Sequence, residues 1–435
     1  MKKIIALFIA AILCISLCAC STLEKLKNVE LPPLPTAAAE TVSPETPADE
    51  TTGGALSENK FANHVVVGIT KNTQEFFDQQ NGTQKILTFS YDTPAVYIEG
   101  NEAASEAVNE YIARLNETYV TGNDYGVGSA DGLNVMLEMA QDNYYVSVEN
   151  NIDLPLEYSS DMSVKTKRID EKCVALVYTT YIYTGGAHGS YVDRAYVFDG
   201  ESGELVTLDK LSGDTAQLTE YLAGYMLTLR NEDKDQYYSQ RLSDDYLIDT
   251  TMADALKALV RDGSWYFDGD GMCIFSDVYE IAPYAVGIIE FHIPYDALRG
   301  HIDEKWMPLS ESETGKLTAM LQSEIKDGSI EVIDRVAVSE SGAEIALTAQ
   351  GAIYQVKLSS VEYVNDDFFE TEQLWAGSYM RNCVLQVVTD IPDGMPNLML
   401  SYRDASGEAH DMLITQSGLD GSIILMDKNL IHAQG

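Results

Sequence analysis

The sequence predicts an α+β protein: a mainly antiparallel sheet with packed helices, followed by a smaller β-rich C-terminal domain. Three observations point there. Helical and strand periodicities mix between residues 64 and 305 without a regular βαβ repeat, which argues against a doubly wound parallel sheet. After about residue 305, short β-rich runs recur at close spacing with turn residues between them, the pattern of a small sandwich or barrel. The apolar share, 45% of 435 residues, is enough to bury a core.

The N-terminus reads as an export signal. Lys2 and Lys3 precede an apolar stretch, Ile4 to Leu17. At 14 residues it falls short of the roughly 20 that a spanning helix needs, and it fits the apolar core of a signal peptide. Leu17-Cys18-Ala19-Cys20 follows and resembles a lipobox, with Cys20 as the lipidated residue; bulky Leu17 makes Cys18 the poorer candidate. Residues 1–19 are then the signal peptide, and the protein is expected on the extracytoplasmic face of a bacterial membrane. The two acyl chains of a diacylglyceryl group suffice for stable anchoring. Residues 20–60 are rich in Pro, Ala, Thr, Ser and Glu and carry no apolar period, so they read as a disordered tether. Such a coil has a root-mean-square reach of about 35 Å.

Within 61–302, Ile86–Tyr91 reads as a strand. Asn101–Tyr119 reads as a helix, because Ala104, Ala107, Val108, Tyr111, Ile112 and Leu115 share one face. Tyr144–Val148 alternates as a strand; Lys172–Tyr183 and Tyr191–Asp199 are longer β-rich runs. Asp214–Arg230 and Met252–Val260 are amphipathic helices. Strands follow near Trp265–Phe267, Met272–Phe275 and Ala285–Ile293. The turn Asp268-Gly269-Asp270-Gly271 lacks the first acid and closing Glu of a calcium loop and joins two strands. A boundary is expected between Arg299 and Ser312. In 310–435, helical periodicity is confined to about Glu313–Ile325, and strands fall at 330–333, 344–347, 354–358, 384–388, 397–402, 411–414 and 423–426.

Two segments are distinctive. One is Tyr183-Thr184-Gly185-Gly186-Ala187-His188-Gly189, followed by Asp199-Gly200-Glu201-Ser202-Gly203-Glu204-Leu205. The other is Tyr279-Glu280-Ile281-Ala282-Pro283-Tyr284-Ala285-Val286-Gly287, running into Phe291-His292-Ile293-Pro294-Tyr295. From the residues alone, Gly185, Gly186 and Gly189 let the chain reverse in a wide hairpin, Pro283 rigidifies the start of a strand, and Gly287 permits close approach. His188 at the loop tip could meet a metal, a glycan or a protein, or cap local carbonyls. Together the segments resemble the extracytoplasmic domain of RsiV-type anti-sigma factors, the lysozyme sensors of Gram-positive bacteria. The same domain is similar to the N-terminal region of peptidoglycan deacetylases. The resemblance covers about residues 64–300, and Tyr183, Gly185, Gly186, His188, Gly189, Pro283 and Tyr284 are the candidate ligand contacts.

Three residues before the apolar segment leave no room for a sigma-binding domain, and the deacetylase Asp-Asp/His-x-x-x-His pattern is missing. No Gly-x-Ser-x-Gly elbow, phosphate loop or dinucleotide fingerprint occurs. No catalytic residue, metal ligand or cofactor is assigned. Cys173, Cys273 and Cys383 have no metal-ligand spacing, and Cys173 reads as a buried strand residue. Without the signal, 26 basic residues face 68 acidic ones, a formal charge of −42. Nucleic acid is excluded as a partner, the membrane is met through the lipid alone, and cationic proteins are attracted. The expectation is a surface-tethered, non-enzymatic binding module for a cationic, lysozyme-like protein or a cell-wall glycan. The alternatives are a peptidoglycan-handling enzyme or accessory, and a structural envelope lipoprotein that docks a protein partner.

Overall fold

The computed structural model describes residues 65–431 except 81, 123–131, 151, 153–156, 235–236, 309–314, 326–330, 340–341, 366, 382, 391–394 and 418. The signal segment, Cys20 and the tether lie outside the described residues. Residues Lys60–Gly435 form one compact unit with its own closed cores.

Among the described residues, seventeen strands make three sheets. β1 (Val65–Phe77), β2 (Lys85–Ile98), β3 (Tyr158–Ile169), β4 (Cys173–Tyr183) and β5 (Ser190–Asp199) form half of a ten-stranded sheet. β6 (Trp265–Phe267), β7 (Gly271–Ser276) and β8 (Ile289–Pro294) form a small antiparallel sheet. β9 (Lys316–Leu321), β10 (Glu331–Ala337), β11 (Ala343–Gln350) and β14 (Cys383–Thr389) form a four-stranded sheet in the order β10-β14-β11-β9. β12 (Ala352–Val364), β13 (Asp367–Arg381), β15 (Leu398–Arg403), β16 (Ala409–Gln416) and β17 (Ile423–Asp427) complete the large sheet, ordered β17-β16-β15-β12-β13-β1-β2-β3-β4-β5. Pairing is antiparallel except at β2–β3 and β10–β14. The α+β expectation holds.

The β2–β3 crossover carries two helices. α1 (Glu102–Thr121) buries Ala104, Val108, Ile112, Leu115 and Tyr119; Asn101 caps it by accepting from the Ala104 N–H at 3.2 Å. β3 pairs with β2 only over Leu87–Tyr91, so the far end of β2 needs other partners. Asn109 bonds both backbone groups of Val96, at 2.8 and 2.7 Å, and Ser105 Oγ accepts from the Ile98 N–H at 2.8 Å. α2 (Gly132–Glu149) includes Tyr144–Val148, where the alternation of the sequence predicts a strand. Its buried positions Leu133, Met136, Ala140, Tyr144 and Ser147 follow a helical period, while Val146 and Val148 face solvent.

β4 explains its apolar run by being covered on both faces. Val174, Leu176 and Tyr178 pack towards α1 and α2. Cys173, Ala175 and Val177 pack towards α3 (Thr215–Asn231), α4 (Met252–Leu259) and the three-stranded sheet. A third core lies between the four-stranded sheet (Ile345, Leu347, Leu385, Val387) and the β12–β15 end of the large sheet (Ile353, Val356, Trp375, Leu400).

Two further expectations are corrected. The helix at Glu313–Ile325 is, where described, strand β9 and a 3-10 turn, because Leu317–Leu321 pairs with β11. The strand at Ala285–Ile293 begins only at Ile289, after a 3-10 turn at Tyr284–Val286. The division expected near residues 299–312 does not interrupt the large sheet: β1 pairs directly with β13, Val67 opposite Ala376. Gln373 Oε1 accepts from Thr166 N–H at 2.8 Å, and Gln355 exchanges two bonds with the Ile169 backbone.

Arg168, at the end of β3, is 1% exposed. It pairs with Asp170 (Nε to Oδ2, 2.6 Å) and donates to Tyr295 Oη (2.8 Å), the Trp306 carbonyl (2.6 Å) and the Met307 carbonyl (3.4 Å). Arg168→Ala strands the Asp170 carboxylate and is expected to cost about 3–5 kcal/mol in denaturant unfolding. A loss below about 1 kcal/mol would show that water takes over the guanidinium's role.

Candidate binding site

The two distinctive segments meet. The first is the loop Thr184–Gly189 between β4 and β5; the second is the connection from β7 to β8, residues 277–288. Gly185 and Gly186 sit at φ +93° and +100°, which turns the chain where a side chain would be strained. Tyr183 Oη donates to the Gly186 carbonyl at 3.2 Å and braces the turn. Gly189 is buried because the Tyr181 ring lies where its Cβ would be, 2.4 Å away.

His188 stacks on Tyr284 with ring centroids 4.0 Å apart and planes at 18°. Both bond the same acceptor: His188 Nδ1 and Tyr284 Oη each donate to the Gly189 carbonyl at 2.8 Å. A carbonyl only accepts, so Nδ1 carries a proton and the neutral ring keeps Nε2 as its acceptor. Pro283, exposed and extended, starts the 3-10 turn that presents Tyr284. Tyr191 meets Tyr284 edge-on at 5.9 Å, and Tyr279 lies 5.4 Å from it. Desolvation, then Tyr191, Tyr181 and Tyr279, hold the Tyr284 phenol above its usual pKa. Tyr279 takes φ +65° and is 65% exposed. A bulky residue in that region is held against its preference, and such strain concentrates at functional positions.

The seven sequence candidates are thus gathered at one place, Gly189 buried and the others partly or fully exposed. Tyr181, Tyr191 and Tyr279 complete it and were missed. Tyr279 belongs to the second motif; Tyr181 and Tyr191 are cross-strand partners in the β4–β5 register, which only a hairpin alignment reveals. The cluster offers ring faces, phenol hydroxyls and one imidazole nitrogen, suited to stacking and cation–π contact.

Behind the rings lie ion pairs. Arg194 Nη1 meets Asp277 Oδ2 at 2.7 Å, and Arg261 Nη2 meets Glu280 Oε2 at 3.0 Å. Burial pushes the Asp193 carboxyl up to about 6, with a Thr179 hydrogen bond and Lys167 opposing and Asp277 and Glu290 assisting. A cavity of about 230 Å³ beneath Arg194 is lined by Tyr111, Tyr196, Leu205 and Trp265. It is below the roughly 300 Å³ at which small-molecule sites begin.

The class of protein can now be stated: an α+β chain whose residues 212–296 match the family described as "Protein of unknown function (DUF3298)". That segment contains α3, α4, the three-stranded sheet and the second motif; the glycine-histidine loop precedes it. Two solved structures of DUF3298 proteins are similar. One, from Bacteroides fragilis NCTC 9343, is 16% identical, with 57% of this chain and 96% of that one covered and a TM-score of 0.41. The other, from Pseudomonas aeruginosa PAO1, is 18% identical, with 56% and 97% covered and a TM-score of 0.34. No curated protein matches. The motif resemblance is met at the level of a DUF3298 segment, and not as far as an RsiV-type sensor.

Asp193 binds a proton more tightly folded than unfolded, so its ionisation opposes folding above about pH 6 and not below about pH 4. Asp193→Asn should therefore raise unfolding stability by about 1–3 kcal/mol at pH 7 and leave it unchanged near pH 4. Urea titrations at the two pH values check this, and an equal gain at both would refute the assignment.

Proposed function

We propose that this protein is a non-enzymatic binding module, held outside the cytoplasm by a lipid on Cys20, whose aromatic cluster receives a cationic, lysozyme-like protein. The observation that carries the reading is the strained, exposed Tyr279 beside the stacked His188–Tyr284 pair. Two motifs far apart in sequence are spent on building a surface of ring faces, and the backbone is held in an unfavourable region to turn one ring outward.

Two forces act on a basic partner there. The excess of 68 acidic over 28 basic residues draws it in over a Debye length, about 8–10 Å in physiological salt. The acids next to the rings are already paired with Arg194 and Arg261, so the long-range field steers while the rings supply the local contact. Arg or Lys side chains of the partner would lie over Tyr284 and Tyr279, each contact contributing about 0.5–2 kcal/mol. A tether of residues 20–60 would keep this surface off the membrane.

Binding of a cationic lysozyme to Lys60–Gly435 should be measurable by calorimetry and should weaken as salt rises. Tyr279→Ala and Tyr284→Ala should each weaken it by about ten-fold or more, the loss typical of an aromatic anchor. An equally basic protein without muramidase fold should bind more weakly and be indifferent to both substitutions. Absence of binding at low ionic strength, or equal binding of both proteins, would overturn the proposal. Binding of a peptidoglycan oligosaccharide instead, lost in His188→Ala, would move the reading to the glycan.

A further inference from the structure

A second cluster, on the face of the three-stranded sheet opposite the buried Ile289, Phe291 and Ile293, consists of donors of the kinds that bind metal. Cys273 on β7 lies directly opposite His292 on β8, and Glu290 is two residues along the same strand. Alternation puts all three side chains on one face. Their ligand atoms, Cys273 Sγ, a Glu290 carboxylate oxygen and a His292 ring nitrogen, lie within 4.8 Å of one another. Cys273 is fully buried, and His292 is half-exposed.

Each donor outside the thiol is oriented by an outer partner. Asp268 Oδ2 is 3.5 Å from His292 Nδ1, which leaves Nε2 on the side of Glu290 Oε2, 3.9 Å away. Asp268 is itself fixed by the backbone N–H groups of Asp270 and Gly271 at 2.8 and 2.9 Å. Tyr266 Oη donates to Glu290 Oε1 at 2.8 Å. An imidazole set by a carboxylate on one nitrogen, with the other turned towards a second donor, is the arrangement that metal-binding histidines use. Lys167 on β3 holds its ammonium 4.6 Å from the Tyr266 ring centroid and is the cation that faces this cluster.

We infer that Cys273, Glu290 and His292 form a three-ligand site for a borderline transition-metal ion such as Zn²⁺, with Asp268 as the positioning residue behind His292. One sulfur, one nitrogen and one oxygen suit Zn²⁺ or Co²⁺; Ca²⁺ and Mg²⁺ take oxygen donors. Binding forms a metal–sulfur bond, and the thiol proton leaves to solvent. Three protein ligands beside an exposed histidine leave a coordination position for water or for a donor atom of a partner.

The test uses the compact unit Lys60–Gly435, which excludes Cys14, Cys18 and Cys20, under reducing conditions. Titration with Co²⁺ should give one bound equivalent with a thiolate-to-cobalt charge-transfer band in the near ultraviolet, displaced by Zn²⁺. His292→Gln and Glu290→Gln, both at solvent-accessible positions, should weaken binding by about ten-fold or more without changing the thermal midpoint of the metal-free protein. Asp268→Asn should weaken it while keeping the band, as expected of a residue that touches no metal. Cys273→Ser should abolish the band. A band that survives His292→Gln at unchanged affinity would assign the metal to Cys173 or Cys383 and overturn the proposal, as would failure to retain one equivalent.

Discussion

Arg168 spends every donor of its guanidinium inside the protein, on Asp170, Tyr295 and the carbonyls of Trp306 and Met307. A buried guanidinium is tolerated only when fully satisfied, so these acceptors are fixed relative to one another. The consequence is architectural. β3 belongs to the large sheet, whereas Tyr295, Trp306 and Met307 follow β8 and close the small sheet's core. The ion pair joins the two, and Asp170 Oδ1 continues the link by accepting from the backbone N–H groups of Lys172 and Cys173 at the turn into β4. Tyr295 Oη donates in turn to the Asp268 carbonyl at 2.9 Å, which places the turn whose carboxylate faces His292.

What the sequence reveals and what it conceals divide along the same line. α1 is legible because its buried residues recur at three and four and Asn101 caps it; β4 is legible because both its faces are apolar. β3 and β13 are not, although their side chains bond each other across the halves of the large sheet. Inward positions of β3 include Ser160, Thr166 and Arg168, and β13 buries Gln373. These polar residues are satisfied by partners far along the chain, Tyr119 for Ser160 and Thr166 for Gln373. Local pattern carries no trace of such pairing, so the continuity of the large sheet through β1 and β13 is not legible in it. The aromatic surface was half legible for a related reason. Its glycines and Tyr284 stand out as motifs, while Tyr181 and Tyr191 join through register. The Cys273–His292 contact is also one of register, and a search by spacing passes over it.

Several of the few cations sit where separate elements meet. Lys357 on β12 and Lys165 on β3 meet Glu370 on β13 at 2.6 and 3.7 Å. Lys305 meets Asp199 at 2.6 Å, at the end of β5. Arg403 bonds Asp270 through both terminal nitrogens, at 2.9 and 2.8 Å, tying the β15–β16 hairpin to the turn of the small sheet. Exposed pairs of this kind contribute little individually. Their placement at contacts between elements matters more, because it ties parts of the chain that are far apart in sequence. The long-range negative field follows from the excess of 68 acidic over 28 basic residues and does not depend on where the cations sit.

The small sheet is where these strands of argument converge. It hangs on Arg168 at one end, through Tyr295, and on Arg194 at the other, through Asp277. Between those fixed points its β7–β8 loop presents Tyr279 and Tyr284, and the face opposite Ile289 and Phe291 gathers Cys273, Glu290 and His292. Strain at Tyr279 persists only if both ends of the loop are held, since a free loop would relax to negative φ. A metal between β7 and β8 would hold the strands from which that loop springs, stiffening its base without touching the rings. Ring presentation and strand clamping are then two consequences of one rigid support. A partner that engaged Tyr279 would act on a surface whose ordering cost had already been met in folding, which favours affinity by preorganisation.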